Sequence, residues 1–198
     1  MSRESLTFEP KDDALRQDVG RLGALVGELI LEQSCARVFD MVETVRKAAI
    51  LSRERDGASI AEIPCDVAPD HEAELVRAFS TYFQAVNLAE RVHRVRRRRD
   101  WLRQSDGPQP GSLEDALASI AASVHSRDDL QRVLDGIRVE PVFTAHPTEP
   151  TRRTILRKQQ RIARRLVELM DPSLTPDENA TAWGRVREEL TSIWQTEE

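Results

Sequence analysis

Residues 142–154 read VFTAHPTEPTRRT and interrupt a chain otherwise rich in helix-forming residues. Val139, Val142 and Phe143 favour extended backbone, and Pro141 cannot sit inside a helix. His146 precedes Pro147, and a residue before proline is pushed out of the α region. The pattern predicts a strand over 138–145 that delivers His146 to a turn, then a helix over 151–170. Thr148 or Thr151 is available to cap that helix. Its N-terminus, with Arg152 and Arg153, forms an electropositive rim suited to phosphate or carboxylate. An imidazole titrates near neutral pH and suits general acid–base chemistry. On spacing alone, the plainer reading is a structural histidine in a strand-to-helix turn.

On both sides of this stretch the periodicity is helical. Leu15, Val19, Leu22, Val26, Leu29 and Ile30 place one apolar face on a helix over 12–33. Val38, Val42, Val45 and Ala49 do the same over 34–55. RDGASIAEIP, with Gly57 and Pro64, breaks that helix. Leu75, Phe79, Phe83, Val86 and Ala89 form the expected stripe of a long helix over 70–103. SDGPQPGS, residues 105–112, is a linker or surface loop. Ser112 with Asp115, and Ser126 with Asp129, resemble capping boxes for two short helices. Gly136 stands where a C-terminal cap belongs. Ile155, Ile162, Leu166 and Leu169 face inward from helix 151–170, and Thr175–Pro176 opens a last helix over 176–198. The organisation is a helical region over 1–104, the loop 105–112, and a segment over 113–198 that contains the single strand. The fold class is mostly α-helical.

Composition narrows the function classes. The 198 residues are 39% hydrophobic, 32% charged and only 5% aromatic, with a net charge of −5. That favours helices packed through Leu, Val, Ile and Ala over a β-sandwich. No apolar run reaches membrane-spanning length, and MSRESLTFEPKDD lacks the apolar core of a signal peptide. Cys35 and Cys65 have no metal-type spacing, so a reducing cytoplasmic setting is expected. The run RVHRVRRRR, residues 91–99, holds six arginines. The choices are a solvated helix end, a nucleic-acid or membrane surface, and an anion site. The acidic whole and the lack of interleaved aromatics favour the solvated end. His71 reads as a surface residue at a helix start, and His93 and His125 as ordinary helix residues.

Thr144, Ala145, His146, Pro147, Thr148, Glu149 and Arg152 resemble the histidine signature of phosphoenolpyruvate carboxylase, with Phe143 where that family carries leucine. LRQDVGRLGALVGELI resembles the family's first helix, AFSTYFQAVNLAERVH its Asn-Leu-Ala helix, and IWQTEE its Trp-x-Thr-Asp/Glu-Glu segment. The resemblance runs in order from about residue 12 to the end. It implies an enzyme, a carbon–carbon lyase that joins phosphoenolpyruvate and bicarbonate into oxaloacetate and phosphate with Mg²⁺ or Mn²⁺. It implies that His146 is catalytic, the base acting on carboxyphosphate. Arg152 would orient the histidine loop or meet an anionic substrate, and Arg153 is a weaker candidate. It also implies a helix-rich fold around an eight-stranded α/β barrel, with 138–145 as an early strand, and a cytoplasmic homotetramer.

Such a barrel takes about 250 residues. No carboxylate pair here reads as a Mg²⁺ site, so the metal ligands and further arginines are expected downstream. The last helix shows no stop signal. The expectation is therefore an N-terminal fragment, inactive alone, whose reading frame continues past Glu198. The alternatives are a truncated helical interaction protein without activity, and a basic nucleic-acid-binding module.

Overall fold

A computed structural model of the chain describes residues 10–54, 69–104, 107–124, 126–142 and 152–196. A 3₁₀ turn, Pro10–Asp12, leads into α1 (Asp13–Gln33) and α2 (Ala36–Glu54). These are followed by α3 (Pro69–Gln104), α4 (Leu113–Ser123), α5 (Arg127–Asp135), α6 (Arg153–Glu168) and α7 (Pro176–Trp194). The chain separates into two compact units, Met1–His93 with Arg152–Glu198, and Arg94–Thr151.

The first unit holds the core. Leu22, Val26, Leu29 and Ile30 of α1 are buried, as their spacing predicts, while Leu15 and Val19 pack at its margin. α2 contributes Val38, and α6 contributes Ile155, Ile162 and Leu166. α7 adds Val186, Leu190, Ile193 and two tryptophans. Arg21 lies 4.2 Å above the Trp183 ring and Arg77 lies 5.8 Å from that of Trp194. Two glycines of α1 admit neighbouring rings: a Cβ on Gly27 would meet Phe39 Cε2 at 3.2 Å, and one on Gly23 would meet Tyr82 Cε2 at 3.4 Å.

α3 buries Ala89 of its predicted stripe and leaves Leu75, Phe79 and Val86 half-buried, but it exposes Phe83. Its buried face is Ala78, Thr81, Ala85, Leu88, Ala89 and Val92, whereas Phe83 is 58% exposed. Both sets repeat at helical spacing, so periodicity alone does not choose between adjacent faces. Small residues let α3 approach its neighbours closely. The bulky rings sit at the edge, where Phe79 and Phe83 stack with centroids 6.3 Å apart.

The second unit contains the rest of α3, then α4 and α5. Trp101 Nε1 donates to Gly107 O at 3.0 Å, tying the loop back to α3. Ser112 Oγ accepts from Asp115 N at 3.1 Å, and Ser126 Oγ accepts from Asp129 N at 3.1 Å. The return halves of the caps differ because Asp is shorter than Glu. Asp115 reaches Gly111 N at 2.8 Å, and Asp129 accepts from Ser126 Oγ at 2.7 Å. Gly111 needs its freedom, with φ of 75°. Gly136 closes α5 as expected, though with φ of −81°. Neither α4 nor α5 buries a residue.

Three boundaries need correction. Residues 138–142 form no strand; they are exposed, Val139 by 87% and Val142 by 85%. A strand is held by a neighbour's hydrogen bonds, and the described residues include no other strand. Residues 143–145 lie outside the described residues, as does the break at 55–64. The helix expected over 176–198 ends at Trp194. Gln195 N donates to Thr191 O and Thr196 N to Ile193 O, each at 3.0 Å, tightening the end into a turn. The helix expected over 151–170 starts at Arg153 and ends at Glu168, with Leu169 half-buried beyond it.

Leu166→Ala leaves a hole in this core and is expected to destabilise the first unit by about 2–5 kcal/mol. Thr175→Ala removes a cap and should cost about 1 kcal/mol. Urea unfolding followed by circular dichroism measures both.

Candidate functional site

The described chain stops at Val142 and resumes at Arg152. His146 therefore lies outside the described residues, with Thr144, Ala145, Pro147, Thr148, Glu149 and Thr151. Arg152 is placed. It is the N-cap residue of α6, extended at φ −52° and ψ 137°, and its side chain makes no cap bond. Arg152 and Arg153 are both exposed. The first turn of α6 carries no acid. A helix start ordinarily favours negative groups, and here two arginines stand at it.

This end is held from behind. α6 packs chiefly on α7. Arg161 forms a fork to Glu189, with Nη2–Oε2 at 2.9 Å and Nε to Oε1. That bond raises the arginine's pKa further. Lys158 Nζ donates to Ser192 O at 2.7 Å and to Thr196 Oγ1 at 2.6 Å. Gln159 Nε2 donates to Gln84 Oε1 at 3.1 Å, joining α6 to α3. Positions early in α6 meet positions late in α7, so the two helices are antiparallel.

Their connection is pinned by two carboxylates. Asp171 Oδ1 accepts from Ser173 N at 2.9 Å and from Ser173 Oγ at 2.7 Å, which holds its carboxyl below the usual range. Glu178 Oε2 accepts from Thr175 N at 2.9 Å and from Thr175 Oγ1 at 2.8 Å, lowering its pKa in the same way. Thr175 Oγ1 accepts in return from Glu178 N at 3.3 Å, completing the capping box behind Pro176.

The other candidates separate. Among the described residues no three His, Cys, Asp or Glu side chains come together as a metal site. His71 is half-buried at the start of α3, with Nδ1 3.7 Å from Glu74 Oε2. His93 differs from its expected role. It is buried, and its Nε2 lies 3.3 Å from Asp12 Oδ1 at the start of α1. The one sequence signal for that is its place beside Ala85, Ala89 and Val92 on the buried face. In the basic run, Arg91, Arg94, Arg98 and Arg99 are exposed. A cavity of about 570 Å³ among α1, α2 and α3 has mostly apolar walls, with the Glu43–Arg46 pair on one side. No described helix is long and apolar enough to cross a membrane.

Comparison with known proteins follows the same residues. The sequence profile of phosphoenolpyruvate carboxylase matches residues 15–198. Proteins named phosphoenolpyruvate carboxylase align along nearly the whole chain. That of Xanthomonas euvesicatoria is 49% identical over 197 residues, covering 98% of this chain and 22% of its own length. That of Ralstonia nicotianae is 41% identical, covering 98% of this chain and 20% of its own. That of Alcanivorax borkumensis is 35% identical, covering 93% and 21%. The chain thus spans about a fifth of the length of these relatives.

The depressed carboxyls give the α6–α7 turn a pH signature. Each group's folded value lies below its ordinary one, 3.8 for Asp171 and 4.5 for Glu178. Their contribution is present above the ordinary values and is lost as pH falls through the folded ones. Thermal unfolding across the acid range should show it, and the Asp171→Asn, Glu178→Gln double variant should flatten that dependence. A wild-type profile retained in the double variant would exclude the turn as its source.

Proposed function

The chain belongs to the phosphoenolpyruvate carboxylase family, and from that membership we propose that the full-length protein converts phosphoenolpyruvate and bicarbonate into oxaloacetate and phosphate. The observation that carries the reading is the Thr144–Glu149 signature with Arg152, inside a match that keeps its order along the chain. Bicarbonate oxygen attacks the phosphorus of phosphoenolpyruvate, the bond to the enol oxygen breaks, and carboxyphosphate and the pyruvate enolate form. His146 takes the proton of carboxyphosphate as its C–O bond to phosphate breaks, releasing CO₂ and phosphate. The enolate carbon then attacks CO₂ and gives oxaloacetate.

Arg152 meets the anionic substrate in this reading. Its exposure at the acid-free start of α6 supports that role. The described residues offer no cluster that fits a divalent cation. Mg²⁺ or Mn²⁺, when bound, stabilises charge on the phosphoryl group and the enolate; its ligands belong to the part of the protein beyond this chain. The helical region 1–104, the loop 105–112 and the segment 113–198 lead into an α/β barrel. Residues 138–145 pair as a strand once barrel neighbours are present. The exposed Val139 and Val142 support this, since they have apolar surface to cover. The assembly is a cytoplasmic homotetramer.

His146→Asn in the full-length protein is expected to lower oxaloacetate formation by about 10²- to 10⁴-fold while the fold is kept. A fall of less than about tenfold would return His146 to a structural role. Residues 1–198 alone are expected to make no oxaloacetate in an assay coupled to malate dehydrogenase. Turnover that tracks this chain and vanishes in His146→Asn would show that the site is complete within it.

A further inference from the structure

The start of α3 and the end of α7 enclose a second cavity of the first unit, of about 520 Å³. Val76, Arg77, Ser80 and Gln84 line it from α3, and Ile193 and Thr196 from the end of α7. Polar groups on both walls are already engaged. Gln84 Nε2 donates to Ser80 Oγ at 3.2 Å, and Gln84 Oε1 accepts from Gln159 Nε2 at 3.1 Å. Thr196 Oγ1 accepts from Lys158 Nζ at 2.6 Å and donates to Ser192 O at 2.6 Å. Arg77 lies against the Trp194 ring. What lacks a partner is apolar surface. Val76 is 68% exposed, and Phe83, two turns further along the same side of α3, is 58% exposed. A polar ligand finds these donors and acceptors taken, whereas an apolar side chain gains by removing Val76 from water.

The course of the chain points to the occupant. Thr196 is the last described residue and lies on the wall, so a segment that follows Glu198 departs from the mouth of the cavity. Thr196 N donates to Ile193 O at 3.0 Å, so the backbone is already turning off the axis of α7. The match to this chain covers 22% of the length of the Xanthomonas euvesicatoria relative, which leaves most of such a polypeptide outside it. From Val76 to Gln84 the wall runs about 12 Å along α3. About four extended residues span that distance.

We propose that the segment directly following Glu198 in the full-length protein folds back into this cavity and covers Val76 with an apolar side chain. The inference rests on the reading that this chain is the N-terminal part of a longer carboxylase. The cavity is then the seat through which the helical first unit grips the part of the protein that comes next.

The test uses the full-length protein. Val76→p-benzoylphenylalanine and, separately, Ser80→p-benzoylphenylalanine are irradiated, and the linked peptides are identified by mass spectrometry. Mixing isotope-labelled with unlabelled subunits tells links within one subunit from links between two. The expected product joins α3 to a peptide of the same subunit lying within about fifteen residues after Glu198, the reach of a short extended or helical segment. Val76→Cys reads the cover directly. Its thiol is expected to react with a maleimide at least about a hundredfold more slowly in native protein than in urea, because labelling then waits on local opening.

A link to a distant part of the sequence or to a second subunit overturns the proposal. So does the absence of any link in folded variants, or a Val76→Cys thiol that labels as fast in native protein as in urea. If the photoreactive variants do not fold, Val76→Cys is paired with a single cysteine at each of the first fifteen or so positions after Glu198. Disulfide formation at one or two of them supports the proposal, and formation at none overturns it. A gene product that ends at Glu198 overturns the underlying reading and this proposal together. A longer, active carboxylase without the link overturns this proposal alone.

Discussion

The packing of α6 on α7 is the constraint on which the first unit depends. α6 is basic on its outer face and apolar on its inner one, so Ile155, Ile162 and Leu166 have one way to leave water. α7 supplies the matching surface with Val186, Leu190, Ile193 and Trp194, and carries it to α1 and α3. Arg187 reaches Glu32, Gln195 donates to Gln33 at 2.8 Å, and Arg21 lies over Trp183. The helix whose N-cap is Arg152 is thereby fixed through residues far away in sequence.

Electrostatics act at the ends of this pair more than along it. At the turn, Asp171 and Glu178 are drawn into short hydrogen bonds with Ser173 and Thr175, which stop one helix and start the next. At the other end, Lys158 closes α7, and Arg152 and Arg153 stand at the start of α6, whose first turn carries no acid. Exposed ion pairs such as Arg165–Glu168 contribute little by comparison, because water screens them. The second unit lacks such a centre. α4 and α5 are well capped but bury nothing, so their order comes from local bonds.

Much of this was legible in the residues. The six apolar positions of α1 lie in or against the core, and Ser112, Ser126 and Thr175 cap the helices they precede. These features rest on interactions within three or four residues, where spacing carries the information. His146 and Arg152 were singled out in another way, by resemblance to a signature; the comparisons then showed the family, while the roles of the two residues stand as proposals. The face of α3 was partly misread because an aromatic stripe and an alanine stripe both fit a helical period, and neighbouring helices choose between them. The burial of His93 could be read from its place beside Ala89 and Val92, but its partner Asp12, 81 residues away, could not.

By itself the sequence determined that the chain is helical, where most helices start, and which family it belongs to, because propensity, capping and motif are local. Tertiary structure decided which face of α3 is buried, that 138–142 forms no strand here, and that Lys158 meets Thr196. Each depends on a partner brought in from a distance. A strand needs a neighbour's hydrogen bonds, a buried face needs an opposing one, and an ammonium 38 residues from its hydroxyl meets it once both helices have packed.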